Sequence, residues 1–343
     1  PADAVAHVFH LYVVSTPERD KLQAGLHARG VGAMVHYPLP AHLQPIYQGL
    51  AAPGSLPVTE RLANEVLSLP IYPELSDAEV DAVAAAVRAA APDRVYHLAA
   101  QSYPSASWDA PITTMRTNGE GTINVLEAVR SHAPQARVHI AGSSAEYGWV
   151  RADEVPIPET RGLRPASPYG VSKVAQELLG LQYHDSYGLH VIVTRSFNHV
   201  GPRQGDRCSI QTFCQQMALI EAERQPPVLR VGNLEPRRDF THVTDVARAL
   251  WLLLDRGTPG TVYNLCSGAA TRIGDIVELV RARGRVPVDV HVDPARLRPS
   301  DEPILQGDNS RLRADTGWAP QIGMPQIVDE LLAYWREMFG VAA

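Results

Sequence analysis

From about residue 93 onward, short apolar runs alternate with longer stretches of helical character. Residues 94–99 (Arg-Val-Tyr-His-Leu-Ala), 137–142 (Arg-Val-His-Ile-Ala-Gly) and 190–196 (His-Val-Ile-Val-Thr-Arg-Ser) are apolar along their length. That is how strands covered on both faces of a parallel sheet read. The intervening segments, one ending near His132 and one opening at Ser167, are predicted helices. Residues 1–90 predict a separate small α/β segment, with strands at 7–14, 33–37 and 67–72. Helices are expected from Thr16 to Gly30, where a cap residue precedes a proline, and over 57–67. A third helix is expected at Ser76-Asp-Ala-Glu, which has a capping-box pattern. The alanine-rich stretch 80–92 is the seam, a continuous helix feeding the next strand. Two domains follow, 1–90 and 91–343, an organisation that a length of 343 residues accommodates.

Composition narrows the function. With 45% hydrophobic and 20% charged residues the chain is globular. A net charge of -6 and scattered arginines argue against a nucleic-acid partner. No apolar run approaches membrane-spanning length, so no membrane partner is expected. The chain opens Pro-Ala-Asp-Ala with no leader sequence, which gives the expectation of a cytoplasmic protein or a fragment of one. Cys208, Cys214 and Cys266 form no Cys-x-x-Cys pair and are expected as reduced thiols, with no metal site.

The chemistry concentrates in Ser167-Pro-Tyr-Gly-Val-Ser-Lys173. Tyr169 and Lys173 stand four apart, on one face of a helix. An ammonium beside a phenol is expected to draw its pKa down from about 10, which suits a general acid and base for an alcohol or ketone. Tyr-x-x-x-Lys also arises by chance on amphipathic helices. However, Lys21 and Lys173 are the only lysines, and 29 of the 31 basic residues are arginine, so a lysine here is a choice. Ser143 and Ser144 end the 137–142 strand, at the sheet edge where ligands bind in open α/β folds. Ser143 can donate to a carbonyl oxygen there, with a helix cap or turn hydroxyl as the competing reading.

Six ordered motifs then coincide: His97-Leu-Ala-Ala-Gln-Ser102, Gly142-Ser-Ser-Ala-Glu-Tyr-Gly148, the Tyr169 motif, Arg195-Ser-Phe-Asn-His-Val-Gly-Pro202, Val231 to Thr241 and Leu297-Arg-Pro-Ser-Asp-Glu-Pro303. Over about 92–338 they resemble the extended short-chain dehydrogenase/reductases, nearest to reductases of GDP-4-keto-6-deoxy-hexoses, with GDP-mannose 4,6-dehydratases next. The resemblance implies an NAD(P)H cofactor, a GDP-sugar substrate and a smaller substrate-binding lobe. It implies catalysis by Ser143, Tyr169 and Lys173. Cofactor contacts fall on Leu98, Ala99, Ala100, Tyr169, Lys173, Asn198 and His199. Substrate contacts fall on Ser102, Ser144, Glu146, Asn198, Arg238, Arg298 and Asp301, the two arginines facing the diphosphate. Ser107 and Trp108 are weaker candidates, the tryptophan being expected in the core. A homodimer is implied through helices near 104–131 and 166–187.

Two departures from the family pattern matter. The dehydratases carry a glutamate two residues before the tyrosine of the strand-end motif, and Ala145 stands there; Glu146, one residue on, reads as a solvated loop acid. The Gly-x-x-Gly-x-x-Gly turn that seats the pyrophosphate at a helix N-terminus is missing from the sequence. The predicted fold is therefore a truncated Rossmann-like parallel sheet with a smaller lobe. Ahead of it, Val35-His-Tyr-Pro-Leu-Pro-Ala-His-Leu-Gln-Pro45 and Leu67 to Leu75 resemble the C-terminal end of the DegT/DnrJ/EryC1/StrS sugar aminotransferases. Lys21, set among Glu18, Arg19 and Asp20, is expected to be solvated and is no Schiff-base lysine. Reduction of a C4 ketone is the leading expectation. A dehydratase and an inactive GDP-sugar-binding remnant are the alternatives.

Overall fold

The computed structural model describes residues 12–28, 33–35, 54–55, 57–69, 92–205, 208–297 and 303–341, with the single positions 40, 43 and 88. In chain order the first elements are β1 (Tyr12–Ser15), α1 (Arg19–His27), α2 (Pro57–Glu65), β2 (Val66–Leu69) and β3 (Arg94–His97). Then come α3 (Ala106–Asp109), α4 (Pro111–Met115), α5 (Gly121–His132), β4 (Arg137–Ser143), α6 (Pro168–Tyr187) and β5 (His190–Ser196). They are followed by β6 (Asn198–Val200), α7 (Ser209–Glu221), β7 (Val228–Val231), β8 (Arg237–His242), α8 (Val243–Arg256) and β9 (Thr261–Leu265). The chain closes with β10 (Ala270–Arg272), α9 (Ile273–Arg283), β11 (Asp289–Val292), β12 (Ile304–Leu305), α10 (Ser310–Thr316) and α11 (Met324–Phe339).

Two compact units result. The first takes Pro1–Gly148, Leu163–Arg195 and Leu253–Val262; the second takes Trp149–Gly162, Ser196–Leu252 and Tyr263–Ala343. The first is built on a six-stranded sheet in the order β2-β1-β3-β4-β5-β9. β3 and β4 are parallel, His97 lying opposite Ile140. β1 is antiparallel to both its neighbours, with Tyr12 opposite Leu69 on one side and His97 on the other. The expected parallel sheet is thus mixed at one edge. The backbone groups of β3 that would otherwise lie open are paired by a strand from the N-terminal segment, which removes an aggregation-prone edge.

Packing follows the strand patterns. Val95, Val138, Ile140, Val191 and Val193 have no exposed surface and form one core with Leu126 and Val129 of α5. Leu26 of α1 and Leu67 of β2 belong to that same core, each contributing about 1.5–3 kcal/mol of burial. Of the expected N-terminal elements, the strand at 7–14 is seen as β1, residues 7–11 lying outside the described residues. Of the strand expected at 33–37, residues 36 and 37 lie outside the described residues, and among 33–35 Met34 forms an isolated bridge. The helix expected at Ser76 lies outside the described residues. Lys21 is 78% exposed and pairs with Glu18, as expected.

The second unit centres on β8, which pairs with β10, β12 and β6. Ile210 and Met217 of α7, Val277 and Val280 of α9, and Leu331 and Trp335 of α11 close its core. Trp335 donates to Gln211 Oε1 at 2.9 Å and stacks on Phe339.

Candidate active site

The helix that carries Tyr169 and Lys173 starts where the sequence directs it. Ser167 caps α6 by accepting from Gly170 N at 3.1 Å, and Pro168 supplies the first turn with its fixed φ. Gly188, at φ 69°, ends it. A Cβ on Gly170 would lie 2.7 Å from Ala145 O and 2.9 Å from Pro165 Cβ. Only glycine lets the helix lie this close to the turn after β4, and that approach brings Tyr169 to Ser143.

β4 ends in a single 3₁₀ turn, Ser144–Glu146. Ser143 Oγ accepts from Ala145 N at 3.2 Å, and Glu146 Oε1 accepts from Ser143 N at 2.6 Å, a complete capping box. The cap reading of Ser143 therefore holds, and the same hydroxyl lies near enough to the Tyr169 phenol to lower its pKa. Lys173 Nζ donates to Ala141 O at 2.7 Å and sits 5.9 Å from the Tyr169 ring centre. Ser143, Tyr169 and Lys173 thus converge at the end of β4.

Burial governs their protonation. Tyr169 is 8% exposed, and its phenol is pushed up to about 12, burial raising it, the Ser143 hydroxyl lowering it and the Glu146 charge raising it further. The expected downward pull of Lys173 is not realised, because its ammonium is turned to a backbone carbonyl and desolvation outweighs it. Lys173 is itself lowered to about 8 by burial, against an opposing contribution from Glu146.

Glu146 is not a solvated acid. It has no exposed surface and lies 3.7 Å from Arg195 Nε. Arg195 forks onto Glu177 at 2.8 and 2.7 Å and donates to the Tyr147 hydroxyl at 3.1 Å. Burial, and then the neighbouring Glu177 carboxylate, raise the Glu146 pKa. Held by Ser143 N and this buried cluster, Glu146 positions the turn from beneath.

A second network went unseen in the sequence. Asn118 is fully buried in a π-helical turn, Arg116–Glu120, between α4 and α5. It accepts from Gln101 N at 2.7 Å and donates to Gln101 O at 3.2 Å and to Ser172 Oγ at 2.8 Å. Ser172 Oγ in turn donates to Tyr169 O at 2.7 Å. Asn118 thereby ties the loop after β3 to the first turn of α6. The available signal was an amide placed inside a helix next to Gly119, where asparagine is a poor helix former. Beside it His97 Nε2 lies 2.9 Å from Thr122 Oγ1, which Gln176 also reaches at 2.7 Å. Burial, then the Lys173 charge, lower His97 to about 3.

The remaining candidates lie as follows. Leu98, half-buried, and Ala99 and Ala100, both buried, follow the carboxyl end of β3. Gln101 Oε1 next to them is buried with no hydrogen-bond partner among the described residues. Ser102 is exposed, and Ser144 is half-buried in the 3₁₀ turn. Ser107 is buried and donates to Pro104 O at 2.6 Å, whereas Trp108, expected in the core, is 64% exposed. In the second unit Asn198 donates to Asp239 O at 3.0 Å. His199 Nε2 is buried without a partner among the described residues, and burial lowers its pKa to about 4. Arg238 is half-buried and donates to Arg237 O at 2.9 Å. Asp239 accepts from Ser267 N, Ser267 Oγ and Gly268 N, which fastens β8 to that turn. Arg298 and Asp301 lie outside the described residues.

Known proteins resemble this chain in two separate stretches. Residues 70–331 match the GDP-mannose 4,6 dehydratase family, and residues 1–88 match the DegT/DnrJ/EryC1/StrS aminotransferase family. A GDP-6-deoxy-D-mannose reductase of Pseudomonas aeruginosa is 36% identical over 71% of this chain and 81% of its own length. A GDP-mannose 4,6-dehydratase of Vibrio cholerae is 31% identical over 71% of this chain and 72% of its own. Among solved structures, RMD from Pseudomonas aeruginosa complexed with NADPH superposes with a TM-score of 0.69 at 35% identity, covering 72% of this chain and 82% of that one.

Proposed function

The chain belongs to the GDP-mannose 4,6-dehydratase family, and on that premise we propose that it is an NAD(P)-dependent oxidoreductase that reduces the C4 ketone of a GDP-4-keto-6-deoxy-hexose. The observation that carries this reading is the close approach of α6 to the end of β4, which sets Tyr169 beside Ser143 with Lys173 one turn along, its Nζ on Ala141 O at 2.7 Å. Bound NAD(P)H supplies the hydride. Ser143 Oγ orients the ketone oxygen, and Tyr169, a neutral phenol at neutral pH, gives that oxygen its proton. Lys173, close enough to neutrality to shift its proton, compensates the phenolate left behind. Ala99 and Ala100, with the unpartnered Gln101 Oε1, fit the nicotinamide and its ribose at the end of β3. Asn198, His199, Arg238, Arg298 and Asp301 are assigned to cofactor or GDP-sugar contacts by their family motifs.

Elimination of water is the less favoured reading. Ala145 stands where the dehydratases have their acid, and the Glu146 carboxylate is engaged by Ser143 N and Arg195. Supplying the 4-keto sugar with NADPH and following nicotinamide oxidation tests the reductase. GDP-mannose with NAD(P) and an assay for a 4-keto product tests the dehydratase. GDP binding with neither activity would leave the remnant reading.

The same proposal includes a homodimer. Trp108, Ile112 and Met115 on α3 and α4, and Val171, Leu178 and Tyr187 on α6, are exposed apolar residues on the two helical stretches, as a self-complementary interface requires. No described helix is long and apolar enough to cross a membrane. A reductase drawing on a nucleotide sugar and a reduced nicotinamide is placed in the cytoplasm.

A further inference from the structure

In a doubly wound sheet the first strand runs parallel to its neighbours and delivers a glycine turn and a helix N-terminus to the carboxyl edge, where the pyrophosphate is bound. Here the strand beside β3 runs the other way. Tyr12 faces His97 at the carboxyl end of β3, and Ser15 faces Arg94 at its amino end. α1 follows Ser15, so its positive dipole end lies at the amino edge, opposite Ser143, Ala99 and the end of β4.

That helix start is also closed by protein. Thr16 N donates to Glu65 O at 2.9 Å, and Arg19, 9% exposed, donates to Ala63 O at 2.7 Å. The sequence holds no glycine-rich turn that could form a cradle elsewhere. By contrast, the nicotinamide end of the site is built: Gln101, Ser143, Tyr169 and Lys173 stand at the carboxyl ends of β3 and β4.

Building on the reductase reading, we propose that the first unit recognises a reduced nicotinamide nucleotide through its nicotinamide-ribose half alone, the adenosine half adding no affinity. NADPH, NADH and reduced nicotinamide mononucleotide then bind alike, and the 2′-phosphate that separates the two dinucleotides goes unread.

The full chain is titrated with each of the three compounds by nicotinamide fluorescence, and with GDP by calorimetry. The expected result is three dissociation constants within about fivefold of one another. A dinucleotide that binds more than about fivefold tighter than the mononucleotide overturns the inference and leaves the reductase reading intact. GDP binding with none of the three nucleotides bound overturns both, and so does a failure of all four to bind.

Discussion

Acid should weaken this fold in part through the buried ring of His97. His97 is 1% exposed at the end of β3, and its pKa is held at about 3, against 6.5 for an unfolded histidine. Between those values the unfolded chain binds a proton that the folded chain refuses. The stabilising contribution is therefore whole above about pH 6.5 and is lost as pH falls toward 3. A gap of about 3.5 pH units, at 1.36 kcal/mol each, sets a ceiling of roughly 5 kcal/mol. By pH 5 the loss is about 2 kcal/mol, a large fraction of an ordinary domain's stability. Urea unfolding at pH 7, 6 and 5, followed by circular dichroism, measures it. His97→Gln keeps a polar reach toward Thr122 and cannot titrate. His190 and His199, whose pKa values burial also lowers, are present in both proteins and cancel in the comparison. The variant should lose about 2 kcal/mol less than the parent between pH 7 and pH 5. Parallel stability curves would refute the account of His97 as a neutral buried ring.

Four other outcomes are expected. Tyr169→Phe removes the proposed proton donor and should cut keto-sugar turnover by about 10²–10⁴ while leaving GDP affinity unchanged in calorimetry. Gly170→Ala puts a methyl 2.7 Å from Ala145 O and should cost about 1–3 kcal/mol in thermal unfolding, with loss of turnover as α6 backs away from Ser143. Glu146→Ala strips Ser143 N of its acceptor and should cost about 1–3 kcal/mol, whereas Glu146→Gln keeps the acceptor and should cost less; equal losses would assign the effect to charge. Leu178→Asp, at a position 56% exposed, should convert the proposed dimer to a monomer in light scattering without lowering the melting temperature.

What was legible in the sequence was local. The caps and glycines around Ser167, Gly170 and Gly188 write α6 directly, and helical spacing places Tyr169 and Lys173 on one face. β3, β4 and β5 are short apolar runs that read as buried strands. What was hidden depended on the surroundings. Spacing suggests an ammonium beside a phenol, but the strength of desolvation and the pull of Ala141 O on Lys173 appear only when the helix is packed on the sheet. Glu146 reads as a loop acid because its partners, Arg195 and Glu177, are far along the chain. Trp108 reads as core because size alone suggests burial, whereas its short helix turns it outward. The reversed course of β1 had no sequence signal, since an apolar run is equally content parallel or antiparallel.

That reversed strand separates two properties usually inherited together. Main-chain amides and carbonyls recognise spacing and direction, not ancestry, so a strand from the N-terminal segment can pair the edge of β3 in the antiparallel sense. A cofactor cradle has no such tolerance, because it depends on which end of a strand the next turn leaves from. Continuity of hydrogen bonding across a sheet is therefore no guide to which edge a ligand-binding turn will occupy.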